Sequence, residues 1–373
     1  MSHSLDLPRA AGTRDRDGLT PPERESVLLI APSSGLGGGI ERYLSTVEVA
    51  FQMEKVPYRR LNLIDRDGRT GVATKLRFVR DITRAVWESE DPVRLVVAHN
   101  NLLPVVDITA RFPAFNGATV ILYGTDIWKC RRVRGRRTMR RADVRVVTIS
   151  NFSAGALARA CPASVLRPGV TQRWYDTLID AGTRARRTSG YLDLVTAFRL
   201  EAWRDKGLPA LLHAARLLND ERVRLTVCGA GPVPAALRAE VAPYPWCRIA
   251  ADLTDDALAD QLASAHLFVL ATRTRYGPRA CGEGFGLVLL EAQIAGTPVV
   301  APAFGGSGDA FQADLTGLAP IDESPEALAR VLATLLWDAP RRVEMGRAAA
   351  AWSRTTFEPT SGSRHVVETL VGR

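Results

Sequence analysis

The chain has 373 residues, of which 46% are apolar and 24% charged, with a formal net charge of +9. That length exceeds one ordinary core and predicts two domains, and the composition excludes a fibrous or wholly disordered chain. No apolar run approaches the roughly 20 residues that a membrane-spanning helix needs. Only four of the 49 basic residues are lysines (55, 75, 129 and 206), so the Arg excess reads as a compositional bias against which Lys206 stands out. The five cysteines, at 130, 161, 228, 247 and 281, include no Cys-x-x-Cys pair, so neither a zinc site nor a disulfide framework is indicated. Cys228 and Cys247 lie in apolar segments and read as buried small hydrophobes.

In chain order, residues 1–26 mix Arg, Asp, Pro and Gly without an apolar centre. They read as a disordered tail and not as a secretion signal, which leaves the cytoplasm as the default compartment. Apolar, β-branched runs follow at 27–31, 57–63, 93–98, 118–123, 144–149 and 163–166, then at 192–197, 223–228, 246–250, 267–271, 298–301 and 317–319. Between them, helical patterns cover 40–54, 73–89, 131–141, 151–160, 207–219, 233–242, 254–264, 286–295, 324–337 and 340–353. Such alternation predicts two doubly wound parallel α/β sheets. Val27–Ala31 and Leu267–Ala271 are apolar throughout, as strands buried on both faces are. The stretch 171–191 has no clear period and is the expected linker, so an amino-terminal domain spans 27–182, a carboxy-terminal domain spans 191–357, and 358–373 closes the chain as a terminal helix.

Ligands bind at the carboxyl ends of such strands, and four segments fall there. Pro32 leads into Ser33, Ser34, Gly35, Leu36, Gly37, Gly38, Gly39, Ile40, Glu41 and Arg42, a Gly-rich turn before a helix that lets a phosphate or sugar approach the backbone. As a dinucleotide fingerprint it lacks the third glycine, and no acidic residue ends the second strand cleanly. Arg199 and Lys206 follow the strand that opens the second domain, a forked donor and a point charge suited to a diphosphate. Gly229 and Gly231 make another strand-to-helix turn, beside which a base or ribose fits as well as a purely structural bend. Glu283 and Glu291, eight positions apart, flank the turn Gly284, Phe285, Gly286 at the start of a helix, followed by Gly296, Thr297, Pro298, Val299 and Val300. A Gly-rich helix start suits an anion, and carboxylates on either side suit hydroxyl groups. Phosphate plus hydroxyls describes a nucleotide-sugar.

The order of these pieces resembles glycosyltransferase family 4, retaining enzymes of the GT-B fold, over about 27–357, with 282–307 carrying most of the match. The resemblance implies two Rossmann-like domains facing across a cleft. It implies that Glu283 contacts the donor sugar, that Glu291 grips the ribose hydroxyls, and that the backbone of Phe285, Gly286 and Leu287 holds the sugar or distal phosphate. Arg199 and Lys206 would neutralise the diphosphate, Gly37, Gly38 and Gly39 would border it from the other domain, and Asp309 takes the place of the acidic residue that follows Gly-Gly. The seven-residue spacing of Arg199 and Lys206 is wider than the family's. Tyr123, before Gly124, stands where His is common, so His99, Tyr123 or Asp126 supplies the polar contact at the reacting carbon.

The expected reaction needs no cofactor, because the nucleotide-sugar is a co-substrate, and no metal; Asp65 and Asp67 read as a turn. The donor is a UDP-, GDP- or dTDP-sugar, and the acceptor a small specialised metabolite, with a lipid or cell-envelope acceptor as the alternative and a non-catalytic nucleotide-sugar binder as the second. The basic run 129–141, beside Trp128, reads either as a solvated Arg-rich helix or as a weak anionic-membrane contact that would place the protein at the inner face of the membrane. No nucleic-acid-binding pattern accompanies the charge.

Overall fold

A computed structural model describes residues 25–33, 39–64, 71–124, 127, 133–185, 190–275 and 280–372. Twelve strands among them form two six-stranded sheets. The first contains β1 (Ser26–Ser33), β2 (Tyr58–Ile64), β3 (Val93–Val97), β4 (Phe115–Leu122), β5 (Val144–Thr148) and β6 (Ser164–Val165), in the order β2-β1-β3-β4-β5-β6. The second contains β7 (Leu192–Ala197), β8 (Val223–Gly229), β9 (Cys247–Ala251), β10 (Leu267–Val269), β11 (Val299–Val300) and β12 (Gly317–Leu318), in the order β12-β11-β10-β7-β8-β9. Every pairing between these strands is parallel. The two doubly wound sheets are the expected GT-B architecture. The order reverses beside β1 in the first sheet and beside β7 in the second, so the crevices fall between β1 and β3 and between β7 and β10.

Burial on both faces explains the unbroken apolar strands: Leu29, Ile30, Leu194, Leu267, Phe268 and Val269 are all inaccessible. Helices start where side chains can satisfy their first amides, with Ser150, Thr254 and Ser324 each accepting from the third residue on. The outer face of each sheet packs on its own helices. The inner faces share one continuous core that includes Tyr43, Tyr123, Trp174, Tyr175, Phe285 and Phe357.

Three parts differ from the sequence expectation. The stretch expected as a linker is a helix over Gln172–Arg184 that buries Trp174, Tyr175, Leu178 and Ala181. Its face follows the helical period, but few polar residues in that stretch look core-forming until the second domain's helices Asp255–Ser264 and Leu287–Ile294 are beside it. At the amino end, Glu25 is already tied down, accepting from Arg94 and Asn116 at 3.0 and 2.7 Å, and β1 begins at Ser26, inside the expected tail. A short helix, Pro104–Thr109, follows β3 and was not anticipated. The terminal helix forms over Ser363–Leu370 and returns to the first sheet, where Thr119 Oγ1 donates to the Leu370 carbonyl at 2.7 Å. The two crossings of the chain, 165–170 and 356–366, together line a cavity of ≈ 390 Å³ against Tyr43, Thr46 and Ala50.

Candidate active site

Glu283 sits at the crevice of the second sheet. Its Oε2 accepts from Lys206 Nζ and from Thr272 Oγ1, both at 2.8 Å, and the residue is 8% exposed. Lys206 lies past the end of β7, and Thr272 three residues past β10, so the two strands that flank the order reversal supply one donor each. Glycines allow this approach. Gly207 follows Lys206 at φ +73°, and a β-carbon there would lie 1.8 Å from the Ala271 carbonyl oxygen. Gly306 donates its amide to the Glu283 carbonyl at 2.8 Å, and a β-carbon on it would meet the Gly284 oxygen at 1.8 Å. Thr272 was missed in the sequence; a polar residue just past a strand was the available signal.

Glu291 lies one turn into the helix Leu287–Ile294, which Gly286 caps in the left-handed region at φ +87°. It is 4% exposed, and its Oε1 accepts from Arg42 at 2.7 Å and from Trp174 Nε1 at 3.0 Å. Arg42 comes from the first domain's helix Gly39–Met53, and its guanidinium lies 4.9 Å from the centre of the Trp174 ring. The Glu291 carboxylate holds the Arg42 guanidinium above its ordinary value. Neither partner of Glu291 was anticipated, although Arg42 follows the Gly-rich turn directly.

The remaining expected residues separate into several groups. Gly39 opens the first-domain helix opposite Leu287; a β-carbon on Gly39 would lie 3.7 Å from Leu287 Cδ1, so the starts of the two helices adjoin. The Tyr123 carbonyl presses on Gly284, where a β-carbon would sit 2.8 Å away, and its ring stands edge-on to Tyr43 at 5.8 Å. Phe285 points its ring into the core against Phe357, so its backbone alone faces the turn. Arg199 is exposed before the short turn Leu200–Ala202; Lys206, not Arg199, reaches Glu283. Gly229 is fixed by packing, since a β-carbon would sit 2.2 Å from the Phe198 oxygen. Gly231, at φ +95°, has open space beside it and donates to Asp252. His99 uses Nδ1 to accept from the Asn101 amide at 3.0 Å, capping a short turn. That bond fits the structural reading of a lone histidine after a strand. Asp309 ties the domains by accepting from the Asn151 side chain at 2.9 Å and from its backbone amide. Asp126, Gly37, Gly38, Asp65, Asp67 and the start of the basic run, 128–132, lie outside the described residues. Burial pushes the thiols of Cys228 and Cys247 up to about 12.

The fold and the cleft define a GT-B protein with paired carboxylates at the seam of its domains. Residues 190–352 match the family model described as glycosyl transferases group 1. The chain is 30% identical over 262 residues to the D-inositol 3-phosphate glycosyltransferase of Corynebacterium aurimucosum, covering 66% of this chain and 61% of that one. It is 36% identical over 215 residues to the GDP-mannose-dependent alpha-(1-6)-phosphatidylinositol monomannoside mannosyltransferase of Mycobacterium tuberculosis, covering 55% of this chain and 54% of the relative. The matches thus span between about half and three fifths of these curated relatives' lengths. Among solved structures, the sucrose-phosphate synthase of Thermosynechococcus elongatus superposes with a TM-score of 0.74 at 16% identity, over 92% of this chain and 98% of that one. Anabaena HepE in complex with UDP and glucose superposes with a TM-score of 0.69 at 17% identity, over 93% and 100%.

Proposed function

We propose that the protein is a retaining glycosyltransferase that moves a sugar from a nucleotide-sugar to a hydroxyl of a small-molecule acceptor. The observation that carries this reading is the Lys206–Glu283 pair at 2.8 Å in the crevice between β7 and β10, with Glu291 one turn into the helix that follows. In this reading the diphosphate lies where the helix starts at Gly39 and Leu287 adjoin, since the first amides of a helix and its dipole favour an anion. Lys206 and Arg199 take up phosphate charge, Glu283 accepts from sugar hydroxyls, and Glu291 accepts from the ribose. The bond from the sugar's anomeric carbon to the phosphate oxygen breaks, the acceptor oxygen bonds to that carbon on the same face, and the acceptor's proton passes to the departing phosphate oxygen. Catalysis then rests on positioning and on stabilising charge that develops on the leaving phosphate. Glu283 is not assigned as a nucleophile.

The relatives support a GDP-linked donor and a cyclitol-like hydroxyl acceptor, because one is named for D-inositol 3-phosphate and another for GDP-mannose and a phosphatidylinositol mannoside. The test is a thermal-shift panel of UDP-, GDP-, dTDP- and ADP-sugars followed by a turnover assay that reads the anomeric configuration of the product. Stabilisation by one donor and a product of unchanged configuration are expected. A protein that no nucleotide-sugar stabilises overturns the reading, and activity abolished by a chelator overturns its metal-free form.

One observation favours a second reading, in which the enzyme acts on a lipid-linked acceptor at a membrane surface. The helix Val72–Trp87 exposes Val72, Leu76 and Trp87 at 75, 66 and 67% beside Lys75 and Arg84, and Arg136 and Arg137, within the expected contact at 129–141, are exposed. No described helix is long and apolar enough to cross a membrane. Flotation with anionic but not neutral liposomes at low salt is the outcome that supports this reading; no flotation with either removes it.

A further inference from the structure

Glu291 is a buried carboxylate whose counter-ion comes from the other domain. Within the second domain, Lys206 at the crevice is paired with Glu283. A carboxylate at 4% exposure needs a charged partner, and Arg42 supplies it from the first domain's helix Gly39–Met53. Trp174, from the helix Gln172–Arg184, completes the arrangement. It donates to the same oxygen as Arg42 and stacks beneath its guanidinium.

The division between the two carboxylate oxygens is the informative part. Both partners use Oε1, at 2.7 and 3.0 Å. Oε2 has no hydrogen-bond partner among the described residues. Arg42 is itself held in place: the ring of Trp174 lies on one side, and its second arm reaches Asp255 at 3.4 Å on the surface. Two fixed donors on one oxygen set the rotation of the carboxylate about its terminal bond, and with it the direction of the other oxygen.

We propose that Arg42 is the positioning residue for a ribose-binding carboxylate: it reaches across from the first domain, fixes Glu291 through Oε1, and leaves Oε2 to accept the hydroxyls of the donor's ribose. The proposal rests on the donor-binding reading above and adds to it. Nucleotide recognition, otherwise a property of the second domain, then depends on a first-domain side chain. A donor thereby meets a competent ribose site only when the helices that begin at Gly39 and Leu287 adjoin.

The experiment is calorimetric titration of the full chain with whichever of UDP, GDP, dTDP or ADP binds best, and with the 2′,3′-dideoxy analogue of that nucleotide. The wild-type protein is expected to prefer the nucleotide that carries the hydroxyls. Arg42→Met is expected to weaken that nucleotide about tenfold and to leave the dideoxy analogue within twofold, so that the preference collapses. Glu291→Gln should produce the same collapse, and the double variant should be no worse than either single one, because the two residues act as a unit. Arg42→Lys keeps the charge without the fork or the stacking surface and should fall between; it also carries the comparison if Arg42→Met does not fold. A retained hydroxyl preference in the Arg42 variants overturns the proposal and leaves the donor reading standing. Equal weakening of both nucleotides makes Arg42 a general structural contact and also overturns the proposal. A wild-type protein that binds none of the four nucleotides overturns the donor reading and the proposal together.

Discussion

The two glutamates of this site are the same residue type, eight positions apart, and both are buried, yet they depend on different parts of the molecule. Glu283 is held by Lys206 and Thr272, so its cluster is complete within the second domain. Glu291 is held by Arg42 and Trp174, from the first domain's helix Gly39–Met53 and the helix Gln172–Arg184 that crosses between the sheets. The difference teaches that local sequence spacing can place two carboxylates on either side of one turn while leaving the partners of one to tertiary structure. A perturbation confined to the second domain should reach Glu283 first, and one at the seam should reach Glu291 first.

The largest expected effect tests the Glu283 side. Glu283→Gln removes the charge that Lys206 and the sugar share, and should lower kcat by about 100-fold or more, the scale of losing one preorganised electrostatic contact. Nucleotide affinity should stay within about threefold, because the ribose contact is assigned to Glu291. Steady-state kinetics beside calorimetry checks both, and near-normal turnover would break the distinction between the two carboxylates. Next in size is Gly306→Ala. Its β-carbon would meet the Gly284 oxygen at 1.8 Å and Ser150 Oγ at 2.5 Å, so the backbone that carries Glu283 must move. A loss of about 2 kcal/mol or more in stability is expected, seen as a clear drop in Tm. Gly308→Ala, where the β-carbon meets nothing within 4 Å, should leave Tm unchanged and serves as the control.

The same contrast accounts for what the sequence made legible. Strand periodicity and order were readable because buried parallel strands carry unbroken apolar runs, and the Glu283 segment was readable because its glycines and carboxylates are neighbours in the chain. Trp174 was hidden in a stretch whose apolar residues make a face only when the second domain's helices are beside it. Arg42 stood in plain view after the Gly-rich turn, but nothing local says that an arginine on one helix meets a glutamate 249 residues later. Lys206 was anticipated beside a diphosphate, and its ammonium also reaches Glu283, a pairing across 77 residues that local spacing does not announce. His99 differs again: its place after a strand suggested chemistry, and in the fold its Nδ1 also caps a short turn.

Smaller effects should come from the residues that join the two clusters. Tyr43 follows Arg42 and stands edge-on to Tyr123, whose carbonyl touches Gly284. Its hydroxyl is buried with no hydrogen-bond partner among the described residues, and burial pushes its ionisation well up. An unmet buried hydroxyl costs free energy, so Tyr43→Phe should leave Tm unchanged or raise it by the equivalent of about 1 kcal/mol. A clear fall in Tm would show that the hydroxyl has a role at the joint.

The smallest effect isolates the two arms of Arg42. The inner arm meets a side chain that is 5% exposed, and the outer arm meets Asp255, whose side chain is 68% exposed. An ion pair on the surface is screened by water and salt and contributes about 0.2–1 kcal/mol at most. Asp255→Asn should therefore change Tm only slightly and leave nucleotide affinity within twofold, with any difference from wild type vanishing in high salt. If instead it weakens ribonucleotide binding as far as Arg42→Met, the outer arm is what aims the guanidinium at Glu291. The clasp would then be one network running from the surface to the site.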